Sequence, residues 1–267
     1  MKTRRSYVAP IRVRGILPKL MVARLRRARP PQATLLCIYR DKYRVNTIEM
    51  VGRAEASGWA VRLWALDEPA PELAGRGVGQ GAGGRFAILN RLAAGVDEHD
   101  WLVISDDDAL IVPPWTLATF LTVCDRLGFD LAQPAHVPGS YHAFEFLGQH
   151  AGVLARDTTF VESGPIVAIS PSLRPRIVPF LQSTEMGWGA DILWTDLIAD
   201  GYRLGVVDGI PLRHLAQMGS NYDIGPEMAR IQMLLADRGL TFMGELMHTR
   251  HTYRWLPFRR VRSVLSR

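Results

Sequence analysis

From Ala33 onward, apolar and polar positions alternate in blocks of regular length. ATLLCIY (33–39) is a compact apolar run, as a parallel strand buried on both faces requires. VNTIEMVGRAEASG (45–58) then spaces its apolar residues at helical intervals until Gly58 stops it, and AVRLWALD (60–67) returns to strand. The opening is thus β-α-β. EPAPELAGRGVGQGAGG (68–84) carries too much proline and glycine for regular structure through most of its length. After it come the helix RFAILNRLAAG, the strand WLVIS, the helix WTLATFLTVCDRLG (115–128) and the strand FDLAQPA (129–135). Residues 136–159 show no clear period. TFVESGPIVAIS predicts a further strand, LRPRIVPFLQ a short helix broken by prolines, ADILWTDLIADG (190–201) a helix ended by Gly201, and YRLGVVD (202–208) a strand followed by GIPLRH. A last helix is expected from Gly225 to Gly239, and no internal repeat is present. The alternation predicts an α/β fold.

Composition narrows the class. With 267 residues, 48% hydrophobic and 22% charged, the chain can bury a large core and reads as an ordinary globular protein. No apolar run reaches the roughly 20 residues that cross a bilayer, and no secretory signal is evident, which predicts a cytoplasmic protein. Cys37 and Cys124 lie in a predicted strand and a predicted helix, without metal or redox spacing, and are expected to be reduced packing thiols.

The net charge of +6 hides a division. Residues 1–30 hold ten bases and no acid, and residues 250–267 hold six bases and no acid, so residues 31–249 carry 16 bases against all 26 acids, a net of −10. The head interleaves Ile16, Leu17, Leu20, Met21, Val22 and Leu25 with cations, a pattern suited to an anionic membrane surface, with a solvated head as the alternative. The acidic body offers no broad basic face and no nucleic-acid motif, so a nucleic-acid partner is not expected.

Candidate chemistry centres on WLVISDDDALIVPPW (101–115). Asp106, Asp107 and Asp108 follow a buried strand at the end where open α/β sheets bind ligands. Adjacent like charges repel, so a group of opposite sign is expected beside them. A hard divalent cation, Mn2+ or Mg2+, would answer that need, and a polar turn capping the next helix is the plainer alternative. Gly79, Gly81 and Gly84 match GxGxxG, yet the preceding strand ends well upstream, so a flap or a surface loop is the better reading. His136, His142 and His150 have spacings that fit no metal motif.

In order, ATLLCIY, GRFAILNRLAAG and WLVISDDDALIVP resemble the nucleotide-sugar half of GT-A fold glycosyltransferases, especially the family-2-like group with an Asp-x-Asp motif. The likeness implies a GT-A-like three-layer α/β/α sandwich around a mostly parallel, Rossmann-like sheet. It places Asp106 near the sugar nucleotide and Asp108 on the metal, with Asp107 in the variable middle position. SGP brings Gly164 to the donor, GWGAD puts Asp191 where such enzymes carry the acceptor-activating base, and VVDGIPLRH sets His214 as a second metal ligand. Glu162 is an alternative base or acceptor contact, Arg85 and Asn90 are candidates for the diphosphate or nucleotide, and Trp188 is a candidate stacking residue.

The organisation that follows is a basic head (1–31), a glycosyltransferase domain (32–249) and a basic tail (250–267). The domain divides into a nucleotide-sugar half (32–135) and an acceptor half (136–249). The expected activity is metal-dependent, inverting transfer of a sugar from a nucleotide-diphosphate donor to a hydroxyl of a glycan, lipid or small-molecule acceptor, at the inner membrane face or free in the cytoplasm. A sugar nucleotidyltransferase and a non-catalytic carbohydrate-binding protein are the alternatives. The first lacks support, because RDKYRVN stands where its glycine-rich signature would follow the first strand.

Overall fold

The computed structural model describes residues 24–25, 28–182, 185–217, 219 and 222–254. Most of the basic head and residues 255–267 lie outside them, and so does the expectation of membrane contact. Among the described residues, no helix is long and apolar enough to cross a membrane.

Strands β1 (Ala33–Tyr39), β2 (Ala60–Ala65), β3 (Gly77–Gln80) and β4 (Trp101–Asp106) form one half of the sheet, in the order β3-β2-β1-β4 with every pair parallel. The other half holds β6 (Leu131–His136), β7 (Val153–Thr158), β8 (Ile166–Ile169), β9 (Leu204–His214) and β10 (Thr249–Arg254). Its order from β4 outward is β8-β6-β9-β7-β10, and β8 runs antiparallel to both its neighbours. The parallel arrangement expected from the sequence therefore holds at the centre and on the β3 side, and it becomes mixed beyond β4.

Helices cover both faces. α1 (Arg44–Glu55) and α3 (Leu117–Leu127) pack on one, where Ala54, Phe120, Leu121 and Cys124 meet Leu35, Trp101 and Val103. α2 (Arg85–Ala93) packs on the other, where Phe86, Leu89 and Leu92 meet Leu36, Leu102 and Ile104. The Ala190–Trp194 helix, α5, lies on that same face and follows the short α4 (Arg174–Ile177). α6 (Gly225–Asp237) closes over α5 through Ile192, Ile231, Leu234 and Leu235. Strands β1 and β4 are thus buried on both sides, which is why their sequences are continuous apolar runs rather than alternating ones.

Several expectations are corrected. The glycine-rich segment contains the edge strand β3, whose close approach depends on glycine: a Cβ at Gly79 would sit 2.3 Å from the Trp64 ring. Trp64 Nε1 also donates to the Gly81 carbonyl at 2.8 Å, so this stretch is pinned to β2. The unassigned region 136–159 holds β7. The strand expected to close at Asp208 runs on through GIPLRH, as β9, to His214. Residues 250–254, assigned above to the basic tail, pair with β7 as β10 and extend the sheet past residue 249.

Candidate active site

Register brings the acids and their partners together. β1 and β4 are parallel with Ile38 opposite Asp106, so the first residue beyond β1, Arg40, comes to lie beside Asp107 and Asp108. Its backbone N–H and Nε donate to Asp107 Oδ2 at 2.7 and 3.0 Å, and its Nη2 reaches Asp107 Oδ1 and, at 3.2 Å, Asp108 Oδ2. Asp106 is held by a different cation: Arg85, on the first turn of α2, donates to Asp106 Oδ1 from Nε at 3.3 Å and Nη2 at 3.0 Å, and to the Ser163 carbonyl at 3.0 Å. The repulsion among three neighbouring carboxylates is therefore offset by two arginines of the chain itself. Asp107, in the variable middle position, is the most buried of the three at 2% exposure and anchors Arg40.

Asp108 meets His214 through a short antiparallel pairing. After the aspartates, β5 (Ala109–Ile111) folds back antiparallel on the end of β9, with Ala109 opposite His214. The backbone N–H of Leu215 donates to the Asp108 carbonyl at 2.9 Å, and His214 Nε2 stands 3.3 Å from Asp108 Oδ1. Burial works against charge on both groups. Burial is the largest single cause, but their mutual hydrogen bond and charge attraction, joined by Arg40 at Asp108 and by Asp106 and Glu162 at His214, together outweigh it, so Asp108 lies below the usual carboxylate range and His214 above the usual histidine value.

The sequence-derived candidates divide clearly. Gly164 lies against the Arg85–Asp106 pair, since a Cβ there would sit 3.4 Å from Arg85 Nη2 and from Asp106 Oδ2. Asp191 starts α5 with Oδ1 accepting from the Ile192 N–H at 3.0 Å. Burial pushes its carboxyl up to about 6 although backbone N–H groups of Ile192 and Gly189 oppose the rise, so desolvation wins over the helix terminus. Glu162 is pushed up to about 8, first by burial and next by the charge of Asp191, with Asp106 adding to it and His214 and Arg85 acting against it. Those couplings put Glu162 between the Asp106 end and Asp191. Trp188 packs edge-on against Tyr222 at 6.2 Å, and its backbone N–H is fixed by Glu227.

Asn90 does not join the site. Its amide bridges to the backbone of Phe180, donating to the carbonyl at 2.9 Å and accepting from the N–H at 2.6 Å, so it ties α2 to the segment after α4. Conversely, Arg40, Gln133 and His136 border the site without having been singled out for it. Arg40 was legible as the first polar residue past β1, once β1 and β4 are aligned, and Gln133 as the one amide inside the apolar strand LAQPAH. His150 uses its backbone, donating to Asp208 Oδ1 at 2.8 Å. An apolar cavity of about 110 Å³, lined by Met50, Ala54, Ile111, Leu117 and Ala118, lies on the α1/α3 face, whereas Asp106 faces α2.

Comparison with known proteins addresses the fold. No family model matches the chain, and no curated protein matches it either. Among solved structures, the chain is similar to GalNAc-T7, crystallised with UDP, GalNAc and Mn2+, at 9% identity and a TM-score of 0.57 over 78% of this chain. The mixed α/β sheet and that superposition agree. The fold is that of GT-A glycosyltransferases. The chain spans about half of the GalNAc-T7 chain, 48%. Weaker likenesses, each at 15% identity and a TM-score of 0.48, are to glucosyl-3-phosphoglycerate synthase from Mycobacterium tuberculosis, in complex with Mg2+ and UDP, and to mannosyl-3-phosphoglycerate synthase from Rubrobacter xylanophilus. The match covers 91% of this chain and 93% of the former, and 87% of this chain and 88% of the latter.

Proposed function

We propose that this protein is a divalent-metal-dependent glycosyltransferase that moves a sugar from a nucleoside-diphosphate donor to an acceptor hydroxyl. The observation that carries the reading is the convergence of Asp106 and Asp108 at the end of β4 with His214 from the end of β9, 3.3 Å from Asp108. The Mn2+ crystallised with the similar GalNAc-T7 points the same way.

The donor set fits such a metal. Among the described residues no group of three or more His, Cys, Asp or Glu side chains is arranged to hold an ion. Asp108 would offer one ligand and His214 a second once its Nε2 is neutral and turned from Asp108 to the ion, leaving water and substrate phosphates to complete the shell. When bound, the cation would neutralise the charge that grows on the departing diphosphate. Arg40 fixes Asp107 and Asp108 and favours their ionised forms, although burial still leaves Asp107 above the usual carboxylate value. Arg85 and Gly164 hold Asp106 in place for the donor. Asp191, with a carboxyl near 6, is deprotonated at neutral pH yet basic enough to take the acceptor hydroxyl's proton. Direct displacement by that hydroxyl would invert the anomeric centre, in keeping with the family-2-like resemblance.

The test is thermal stability with Mn2+ and UDP or GDP. At about a hundred times the dissociation constant the parent should gain roughly 2.7 kcal/mol, and Asp108→Asn should lose that gain. A parent that responds to neither nucleotide, or a variant that responds fully, rejects the assignment.

A further inference from the structure

Four buried polar atoms beside this site have no hydrogen-bond partner: Gln133 Nε2, His136 Nε2, His142 Nδ1 and Glu162 Oε2. They belong to one group. Gln133 Oε1 accepts from the Glu162 N–H at 2.6 Å, Glu162 Oε2 lies 3.9 Å from His136 Nε2, and the His142 ring packs 5.5 Å from that of His136. An unsatisfied buried polar atom costs roughly 1–3 kcal/mol, and folded proteins keep few of them. Four in a single wall mark a place where partners come from outside the chain.

The location is specific. β6 runs parallel to β9 with His136 opposite Leu212, so the wall stands at the carboxyl ends of both strands. The His136 ring is 6.4 Å from that of His214, and Glu162 lies near enough to Asp191 for that carboxylate's charge to act on it. A sugar ring must lie there if its diphosphate is held at Asp106 and Asp108 and its acceptor at Asp191. His142 sits on segment 138–145, where Pro138, Gly139, Tyr141, Ala143 and Glu145 are exposed, so this stretch covers the wall and can yield to a ligand.

The wall's chemistry is that of neutral hydroxyl recognition. The side chains of His136 and Glu162 are 1% and 16% exposed, so burial disfavours charge on both. Arg85, the cation that faces Glu162, is bound to Asp106 and the Ser163 carbonyl. An amide, an imidazole and a carboxyl offer alternating donors and acceptors to adjacent hydroxyls, whereas a phosphate here would find Arg85 already bound to Asp106.

We propose that Gln133, His136, His142 and Glu162 form a pyranose-hydroxyl site that binds the sugar of the donor or of the acceptor, an inference that rests on the glycosyltransferase reading above. Parent, Gln133→Leu and His142→Leu are compared by calorimetry with three probes. These are Mn2+ plus UDP or GDP, Mn2+ plus UDP-glucose or GDP-mannose, and Mn2+–UDP or Mn2+–GDP plus free glucose, galactose or mannose. Both variants should keep the metal–nucleotide response. They should lose about tenfold or more in affinity, roughly 1.4 kcal/mol, for the nucleotide-sugar if the pocket serves the donor, or for the free sugar if it serves the acceptor. Should Gln133→Leu not fold, His142→Leu on the exposed segment carries the test. The proposal is overturned if the parent gains nothing from any sugar, if the variants match the parent in both sugar arms, or if glucose 6-phosphate displaces the neutral sugar. A parent blind to metal and nucleotide would instead reject the glycosyltransferase reading.

Discussion

The two halves of the sheet handle buried polar groups differently. On the β3-β2-β1-β4 side, each strand-end acid meets a cation of the chain, Arg40 for Asp107 and Asp108 and Arg85 for Asp106. On the β8-β6-β9-β7-β10 side, one pair is equally closed: Arg156 and Asp208, 1% and 0% exposed, meet at 3.0 Å. Arg156 also donates to the carbonyls of Phe146 and Gly148, so it holds the loop before β7 against the sheet. Beside that clamp stands the unsatisfied wall of Gln133, His136, His142 and Glu162. The difference teaches where the protein is complete by itself and where it is built for something else: the first half preforms a charged cradle, and the second anchors a loop around a gap in hydrogen bonding.

Removing Arg156 should have the largest effect on this contrast. Arg156→Met leaves Asp208 buried without its charge partner and frees two carbonyls, and should cost about 3–5 kcal/mol in denaturant unfolding. A cost under about 1 kcal/mol would mean that the pair does not hold the second half together.

Arg40→Met is the matching change on the first side. Arg40 is 24% exposed, so water can partly replace it, and the expected cost is about 1.5–3 kcal/mol with a weakened response to Mn2+ and UDP. Unfolding and the metal titration are measured together. Normal metal response in a destabilised variant would show that Arg40 supports the fold without aiming Asp108.

The third expected effect is a pH dependence. Because the folded-state value of Glu162 is raised from 4.5 to about 8, the folded chain holds that proton more tightly than the unfolded one. Its contribution is fully present below pH 4.5 and is lost as pH rises through about 8. Asp191 acts in the same direction between 3.8 and about 6. Stability should therefore fall from pH 5 to pH 8, and Glu162→Gln should remove the Glu162 share of that fall, roughly 1.4 kcal/mol for each unit of the raised range that the pH crosses. Parallel pH profiles for parent and variant would show that Glu162 is not a buried, protonated acid.

Legibility in the sequence follows the same division. β1, α1, β2, α2, β4 and α3 were readable because local periodicity and the glycine stops set them, and Asp106, Asp108 and Asp191 were readable because they follow or begin such elements. Residues 136–159 were not, because β7 is defined by pairing with β9 and β10 across long sequence separations and its own pattern includes the buried Arg156 and Asp157. Asn90 was misplaced because its partner, the Phe180 backbone, is distant in sequence and invisible to any local pattern.

The sequence by itself determined the α/β alternation, the acidic strand end and the order of the candidate residues, because hydrophobic period and chain order are local properties. Tertiary structure decided which charges meet. The parallel register of β1 and β4 delivers Arg40 to Asp107, and the fold-back of β5 onto β9 delivers His214 to Asp108. It also decided that burial outweighs the helix terminus at Asp191. These outcomes depend on distances between residues far apart in the chain, and electrostatic energy is set by those distances and by the water excluded around them.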